Sequence, residues 1–394
     1  MGVTLDSLHG RVLDVCSFEQ TPFAWHGKVY GERGQRFRDA NMDLVRPFEG
    51  VYGEPDGTDT ELTPQLIWET KGVNAPSAAD LNRRPEVLDV MGIQRQMVFP
   101  AILLLALPQA FGKATFCPNP TSEQILTSRE LLDAYNEWAA ELTNRYADRL
   151  RVSGALVTHE VSPEEMVQKA EHLIELGVKA ILIPTKVPPA GLSPADPALD
   201  PFYALLAGHN VPLILRGTPL TTGFRASAVW GATPASVWEG GRSVGRLADF
   251  VTDVHQAEEH FLTSMVYGGV FERNPTLRLG VFKVGASWIG PLAERMDRGL
   301  PPFVYNDHLP MKPSEYLARN VRVSPFADSE DDFEPVEVWL ERYPHIQDVY
   351  CYSSDYPLVE GGQWSMKKYY DRLAPLGDEI VEKFFCTNAR LILP

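Results

Sequence analysis

The sequence predicts an α/β fold in which eight parallel strands and their crossover helices close into a (β/α)8 TIM barrel, and three observations carry that prediction. Short apolar, β-rich runs alternate with longer amphipathic helical segments along the chain. Eight such runs occur, near residues 11–16, 94–99, 151–157, 178–183, 211–216, 278–284, 320–324 and 348–353, and eight is the number that closes a barrel. The sequence shows no internal repeat and no low-complexity tract, so residues 1–394 are read as one barrel domain with insertions on its rim.

Taken in order, the first run, "RVLDVC", leads into a long irregular stretch, about residues 23–85, rich in Gly, Pro, Thr and charge. Segments that follow a barrel strand lie on its C-terminal rim, where binding loops sit. The second run opens the longest apolar stretch, "MVFPAILLLALPQAFG" (97–112). That stretch is too short for a bilayer span and contains Pro100 and Pro108, so it reads as a buried strand and its loop. In "RELLDAYNEWAAELTNRYADRL" the residues Leu131, Leu132, Tyr135, Trp138, Leu142 and Tyr146 recur on one helical face. The third strand, 151–157, precedes "SPEEMVQKAEHLIELG", where Ser162 caps, Pro163 suits the first turn, Glu165 completes a capping box and Gly177 ends the helix. Strands "VKAILI" and "VPLILR" follow, the latter leading into a second irregular insertion, about 217–250, before "RLGVFKV", "NVRVS" and "DVYCYS" complete the eight.

A formal charge of −16 without any basic run argues against nucleic acid and against an anionic membrane surface. Cys16, Cys117, Cys351 and Cys386 are scattered, with no CxxC pair, and "MGVTLDSLHG" lacks the form of a secretory signal. Reduced thiols in a cytoplasm are therefore expected. There is no Walker lysine-serine pair, no GxGxxG after a strand and no GxSxG elbow, so neither a nucleotide site nor a serine hydrolase has support.

From residue 84 onward the chain resembles the amidohydrolase-related family, the branch of the amidohydrolase superfamily that contains aminocarboxymuconate-semialdehyde decarboxylase-like enzymes. The stretches that carry the resemblance are "AYNEWAAELTNRYADRL", "GGVFERNPTLRLGVFKVGASWIGPLAERMDR", "KPSEYLARNVRVSPF" and "SSDYPLVEGG". The resemblance implies a metal-assisted barrel of amidohydrolase type. Its ligands would be a His-x-His, or in one branch an Asp-x-His with a nearby Glu, from strand 1, further His from strands 5 and 6, and an Asp from strand 8.

Position by position, this chain departs from that set. The strand 1 pair falls on Cys16 and Phe18, and the acid of the second branch on Thr21. A phenyl ring has no electron pair to give a metal. Strand 5 ends in Arg216, whose permanently cationic guanidinium repels one. Strand 6 carries Lys283 where the family has an acid and Val284 where it has His, and only Asp355 of "SSDYP" agrees, with Leu358 where some relatives have His. The expectation is a degenerate site, with no cofactor in the usual place and with Asp355 paired to Arg216 or Lys283. Cys16 reads as an inert buried thiol. A replacement metal site would draw on His26, His255 and Asp355, since His255, Glu258 and Glu259 have near-helical spacing and His260 follows. His159 beside Glu160, and Lys186 after strand 4, are rim residues of the same kind, while Trp68, Trp230 and Trp238 suit a subunit contact, a pocket wall or packing under loops.

Two functions follow from the resemblance. The first is a supporting subunit: some family members are oxygenases with a dinuclear iron or iron–manganese centre, and 2-aminoisobutyrate hydroxylase combines two related barrels. This chain is similar to the member of such a pair that lacks the dinuclear ligands, its partner being a paralogous amidohydrolase-fold subunit that holds the iron or manganese. The alternative is a self-sufficient hydrolase or decarboxylase with an altered metal site or none, in which Arg216 and Lys283 hold a carboxylate substrate.

Overall fold

The structure is a computed structural model and describes residues 2–45, 61–100, 119–216, 254–299, 306–326 and 335–394. Strands β1 (Val12–Glu19), β2 (Ile93–Pro100), β3 (Leu150–Val152), β4 (Gly154–Ala155), β5 (Ile181–Ile183), β6 (Leu213–Arg216), β7 (Leu279–Phe282) and β8 (Val321–Val323) pair in parallel in two sheets, β1-β2-β3 and β4-β5-β6-β7-β8. The sheets are joined at both seams. Ser153 N donates to Val98 O and Gly154 N to Ala180 O, so β3 and β4 are one strand position that changes partner. On the other side Tyr350 bridges Val323, Cys351 N donates to Val323 O, and Val15 N donates to Tyr352 O. The result is a (β/α)8 barrel.

Two sequence expectations need correction. The run 151–157 is not one uniform ladder, and 348–353 makes a bridge instead of a full strand. A buried carboxylate explains the second: Asp14 Oδ1 accepts from both Cys16 N and Ser354 N, so a side chain takes bonds that a ladder would otherwise make. The described parts of the stretch 23–85, residues 23–45 and 61–85, are also less irregular than their composition suggests. They contain a helix, His26–Ala40, interrupted at Gly31 (φ 65°), whose Tyr30 packs edge-on against Trp138.

Side-chain alternation sorts the core into two layers. In β6, Leu213 and Leu215 face the helices while Ile214 points into the barrel with Leu13, Val15, Met97, Phe99, Leu182 and Phe282. The helix Ser122–Arg145 starts at a Thr121/Gln124 capping box, and Pro163–Leu176 at the Ser162/Glu165 box, ending at Gly177 (φ 110°). The chain end returns under the barrel: Ile392 and Leu393 join the inner layer, while Arg95 and Arg151 donate to Pro394 O. Trp230 and Trp238, Cys117 and the whole of 217–250 lie outside the described residues. Among the described residues, no helix is long and apolar enough to cross a membrane.

Candidate functional site

Four strand ends deliver side chains to one place at the C-terminal mouth of the barrel. A register shift in β1 between Asp14 and Ser17 breaks its alternation, so Cys16 and Phe18 join Leu13 and Val15 on the inner face; β6 ends in Arg216, Lys283 follows β7, and Asp355 closes the segment that completes the barrel. Lys283 Nζ lies 2.9 Å from Asp355 Oδ2, and both side chains are almost wholly buried. Arg216 does not bridge to Asp355. Its Nη1 donates to Pro100 O at 2.9 Å and its guanidinium sits 4.5 Å from the centre of the Phe18 ring. The Lys283 ammonium approaches the same ring at 5.6 Å and Phe326 at 4.6 Å, so Phe18 offers its π-face to both cations.

Three features mark this cluster as more than packing. Lys283 (φ 63°) and Asp355 (φ 49°) both hold left-handed backbone without being glycine, a conformation that costs about 1–3 kcal/mol at a residue and concentrates at functional positions. Two polar atoms in the cluster, Arg216 Nε and Asp355 Oδ1, are buried without a hydrogen-bond partner. Burial lowers the Arg216 guanidinium to about 10, even against the pull of Cys16 and Asp355. Burial, with the Asp355 carboxylate next in effect, pushes the Cys16 thiol up, so it stays protonated and is no nucleophile.

Behind the cluster runs a polar chain that sets Asp355 in place. Ser354 Oγ and Gln96 Nε2 both donate to Asp14 Oδ2, and Arg84 Nη1 donates to Gln96 Oε1 at 2.9 Å while Nη2 reaches Phe18 O at 3.0 Å. Burial raises the Asp14 carboxyl to about 6 in spite of these donors. The clue in the sequence is an acid inside the apolar run "VLDVCSF".

Sequence reasoning missed Lys71. Gly72 N donates to Pro357 O at 2.7 Å, which docks this segment against the turn carrying Asp355. Lys71 itself is half-buried and shows no hydrogen bond or ion pair among the described residues. Burial first, with Lys368 adding to it, lowers its ammonium to about 8, although Asp355 pulls the other way. Nothing local in "ETKGVN" announces this.

The other candidates lie elsewhere. The proposed replacement set of His26, His255 and Asp355 is not assembled, because each is engaged separately. His26 is caged by Phe23, Tyr30 and Phe37, with ring centroids 5.1, 5.4 and 5.9 Å away, and burial takes its imidazole down to about 3. His255 stacks on Trp288 and its Nε2 lies 3.3 Å from Glu259 Oε2, a carboxylate shared with Arg295. Glu258 turns the other way, buried, and takes a 2.6 Å bond from Thr185, which with Lys186 and His260 lines a cavity of about 550 Å³ distant in character from the cation cluster. His159 and Glu160 form a rim pair at 3.5 Å, and Trp68 stacks on Trp364 at 6.1 Å.

Do these residues fit a divalent cation? The donor chemistry says not. At the barrel mouth the aligned positions present a thiol held protonated, a phenyl ring, a guanidinium and Val284, and the one carboxylate is bonded to an ammonium. Among the described residues no three His, Cys, Asp or Glu side chains gather as a metal site.

Comparison with known proteins agrees with the architecture. The amidohydrolase family model matches residues 123–394. An amidohydrolase from Mycobacterium avium subsp. paratuberculosis K-10 superposes with a TM-score of 0.64 at 19% identity, over 98% of this chain and 99% of that one. The 5-carboxyvanillate decarboxylase of Sphingomonas paucimobilis gives 0.58 at 15% identity, covering 97% and 98% of the two chains. For 2,6-dihydroxybenzoate decarboxylase from Rhizobium the values are 0.57 and 15%, with 97% and 98% covered. No curated protein matches at a significant level. Identities this low establish shared fold only, but the family match spans well over half of the residues, and with it the chain belongs to the amidohydrolase family.

Proposed function

We propose that this chain is a decarboxylase acting on a small carboxylate substrate, and that it works without a metal ion at the barrel mouth. The observation that carries the reading is Arg216 Nε, a buried donor without a hydrogen-bond partner, in a cluster that also holds the Lys283 ammonium. A buried donor left unpaired costs about 1–3 kcal/mol, and an anionic ligand would satisfy it. Arg216 would orient the substrate carboxylate, and the departing CO2 would leave its electron pair in the field of two cations. Lys283, held by Asp355, would then supply the proton to carbon. The structural relatives named as decarboxylases lend the reaction class.

The test is CO2 release by the purified, chelator-treated chain alone from a panel of aromatic and oxo carboxylates. Turnover is expected, and Arg216→Met should lower kcat/KM by on the order of 100-fold or more, the usual size of such a loss. A second reading is favoured by the replacement of every expected imidazole while Phe18 fills the space beneath the cations. Here the chain supports a paralogous subunit of a hydroxylase of the 2-aminoisobutyrate type, and the iron or manganese belongs to the partner. It predicts no turnover in isolation, activity only beside the paralogue, and an Arg216→Ala variant whose complex stays mostly active.

A further inference from the structure

Asp355 meets Lys283 from a left-handed backbone (φ 49°), a conformation that persists where surrounding bonds over-determine it. Those bonds come from β1. Asp355 N donates to Cys16 O at 2.9 Å, Phe18 N donates to Tyr356 O at 2.7 Å, and Ser354 gives Asp14 both its N–H, at 2.9 Å, and its hydroxyl. The Ser354 oxygen accepts in turn from Tyr356 N at 3.1 Å. Asp14 thus anchors the residue before Asp355, and its own place depends on the neighbouring strand. Gln96, opposite it on β2, donates from Nε2 to Asp14 Oδ2 at 2.7 Å.

The Gln96 amide can point only one way. Its Oε1 accepts from Arg84 Nη1 at 2.9 Å, and a guanidinium carries donors alone, so the amide oxygen must face Arg84 and the amino group Asp14. Arg84 cannot turn aside. It is fully buried, donates from Nε and Nη2 to Ser77 O and from Nη2 to Phe18 O, and lies 5.0 Å from the centre of the Tyr356 ring. Both Asp14 oxygens therefore meet donors only: Oδ1 the backbone N–H groups of Cys16 and Ser354, Oδ2 the Gln96 amide and the Ser354 hydroxyl. A reversed amide would set oxygen against oxygen, and a missing one would leave a buried carboxylate short of a donor.

We propose that Gln96 is a positioning residue for the Lys283–Asp355 pair, fixing Asp14 in the place from which Asp14 and Ser354 hold the Asp355 carboxylate against the Lys283 ammonium. This rests on the decarboxylase reading and deepens it, because the proton that Lys283 gives to carbon leaves from the geometry that Gln96 maintains. A glutamine that merely satisfied buried polar groups would, when replaced, lower stability and leave the chemistry of the folded molecules unchanged.

Two variants of the full chain separate these roles. Gln96→Leu keeps the bulk and removes both bonds. Gln96→Glu keeps the shape and makes one bond depend on pH: protonated, its hydroxyl donates to Asp14 as the amide does while its other oxygen accepts from Arg84, and ionised, it sets one carboxylate against another. CO2 release is measured for both variants and the parent between about pH 5 and pH 8, and crystal structures of the parent, of Gln96→Leu and of Gln96→Glu at each end of that range give the Lys283–Asp355 separation. In Gln96→Leu the pair should open beyond its 2.9 Å, and kcat should fall on the order of 10- to 100-fold with KM within about twofold, the loss expected of a misplaced reacting group. The activity of Gln96→Glu relative to the parent should rise as pH falls, with urea midpoints showing a folded chain throughout. Should Gln96→Leu not fold, Gln96→Glu carries the test through its pH dependence and its two structures. A parent that releases no CO2, together with a pair that opens in the variants, would remove the decarboxylase reading and keep the positioning role. A pair unmoved in the variants, or a ratio of Gln96→Glu to parent activity that is flat with pH, would overturn the proposal and leave the function above intact.

Discussion

At the scale of single residues, Lys283 with Asp355 is the clearest case among the described residues of interior charge held by a fixed partner. Removing one member strands the other, which in buried pairs costs about 3–5 kcal/mol. Lys283→Met and Asp355→Asn should each lower stability by that order in urea denaturation. The double variant should recover much of the loss, since two neutral side chains leave no unpaired charge. Strictly additive losses would mean that the pair contributes nothing to the fold. His26 makes a contrasting prediction. Its imidazole sits at about 3 in the folded chain against 6.5 for the free side chain, with burial as the main cause. Between those values the unfolded chain takes up a proton that the folded chain refuses. The stability associated with His26 is thus present above pH 6.5 and drains as pH falls toward 3, by at most about 1.4 kcal/mol per pH unit. His26→Phe, filling the same aromatic cage, should flatten that slope relative to the parent across the window. Parallel stability curves for the two proteins would show that the folded protein accepts the proton after all.

At the scale of elements, close approaches decide which positions tolerate change. Gly290 lies in the helix Ile289–Arg298, where alanine would gain about 1 kcal/mol from helix propensity alone. A Cβ there would stand 2.2 Å from the Tyr343 ring, so the helix and the ring must separate. Gly290→Ala should therefore lose about 1–3 kcal/mol by overpacking, opposite in sign to propensity, and Tyr343→Leu should relieve part of it. Urea midpoints of the two single variants and of the double variant decide between the two effects. The same scale shows what could be read from sequence. Strand positions were legible because burial on both faces leaves apolar runs, and the caps at Ser162 and Gly177 because their chemistry is local. The family resemblance, and not periodicity, then assigned Cys16, Phe18, Arg216, Lys283 and Asp355 to one mouth. Which cation takes Asp355 was not legible, since that depends on side-chain reach across the barrel: Lys283 arrives, and Arg216 turns to Pro100 O and Phe18. Lys71 was invisible for a related reason. Its segment docks through a backbone bond to Pro357, distant in sequence, and neither periodicity nor composition records such a contact.

At the scale of the whole molecule, the barrel divides its labour between two ends, with chemistry at the C-terminal mouth and closure at the other. Closure depends on the returning chain end. Ala389, Ile392 and Leu393 enter the inner layer beside Met97, Phe99 and Ile214, while Arg278 donates to Leu391 O, Arg95 to Leu393 O and Pro394 O, and Arg151 to Pro394 O. Those arginines sit at or near the N-terminal ends of β2, β3 and β7. They bring charge to the rim and leave the plug itself apolar. Ile392 is fully buried, so Ile392→Ala should open a cavity and cost about 2–5 kcal/mol. Because the barrel layers between plug and mouth are packed side chains and not a channel, the cavity should not propagate to the cations. The urea midpoint should fall while, under native conditions, the rate of CO2 release stays at the parent's value. A variant whose midpoint is unchanged and whose chemistry fails would show the reverse coupling, with the tail acting on the mouth and not on the fold.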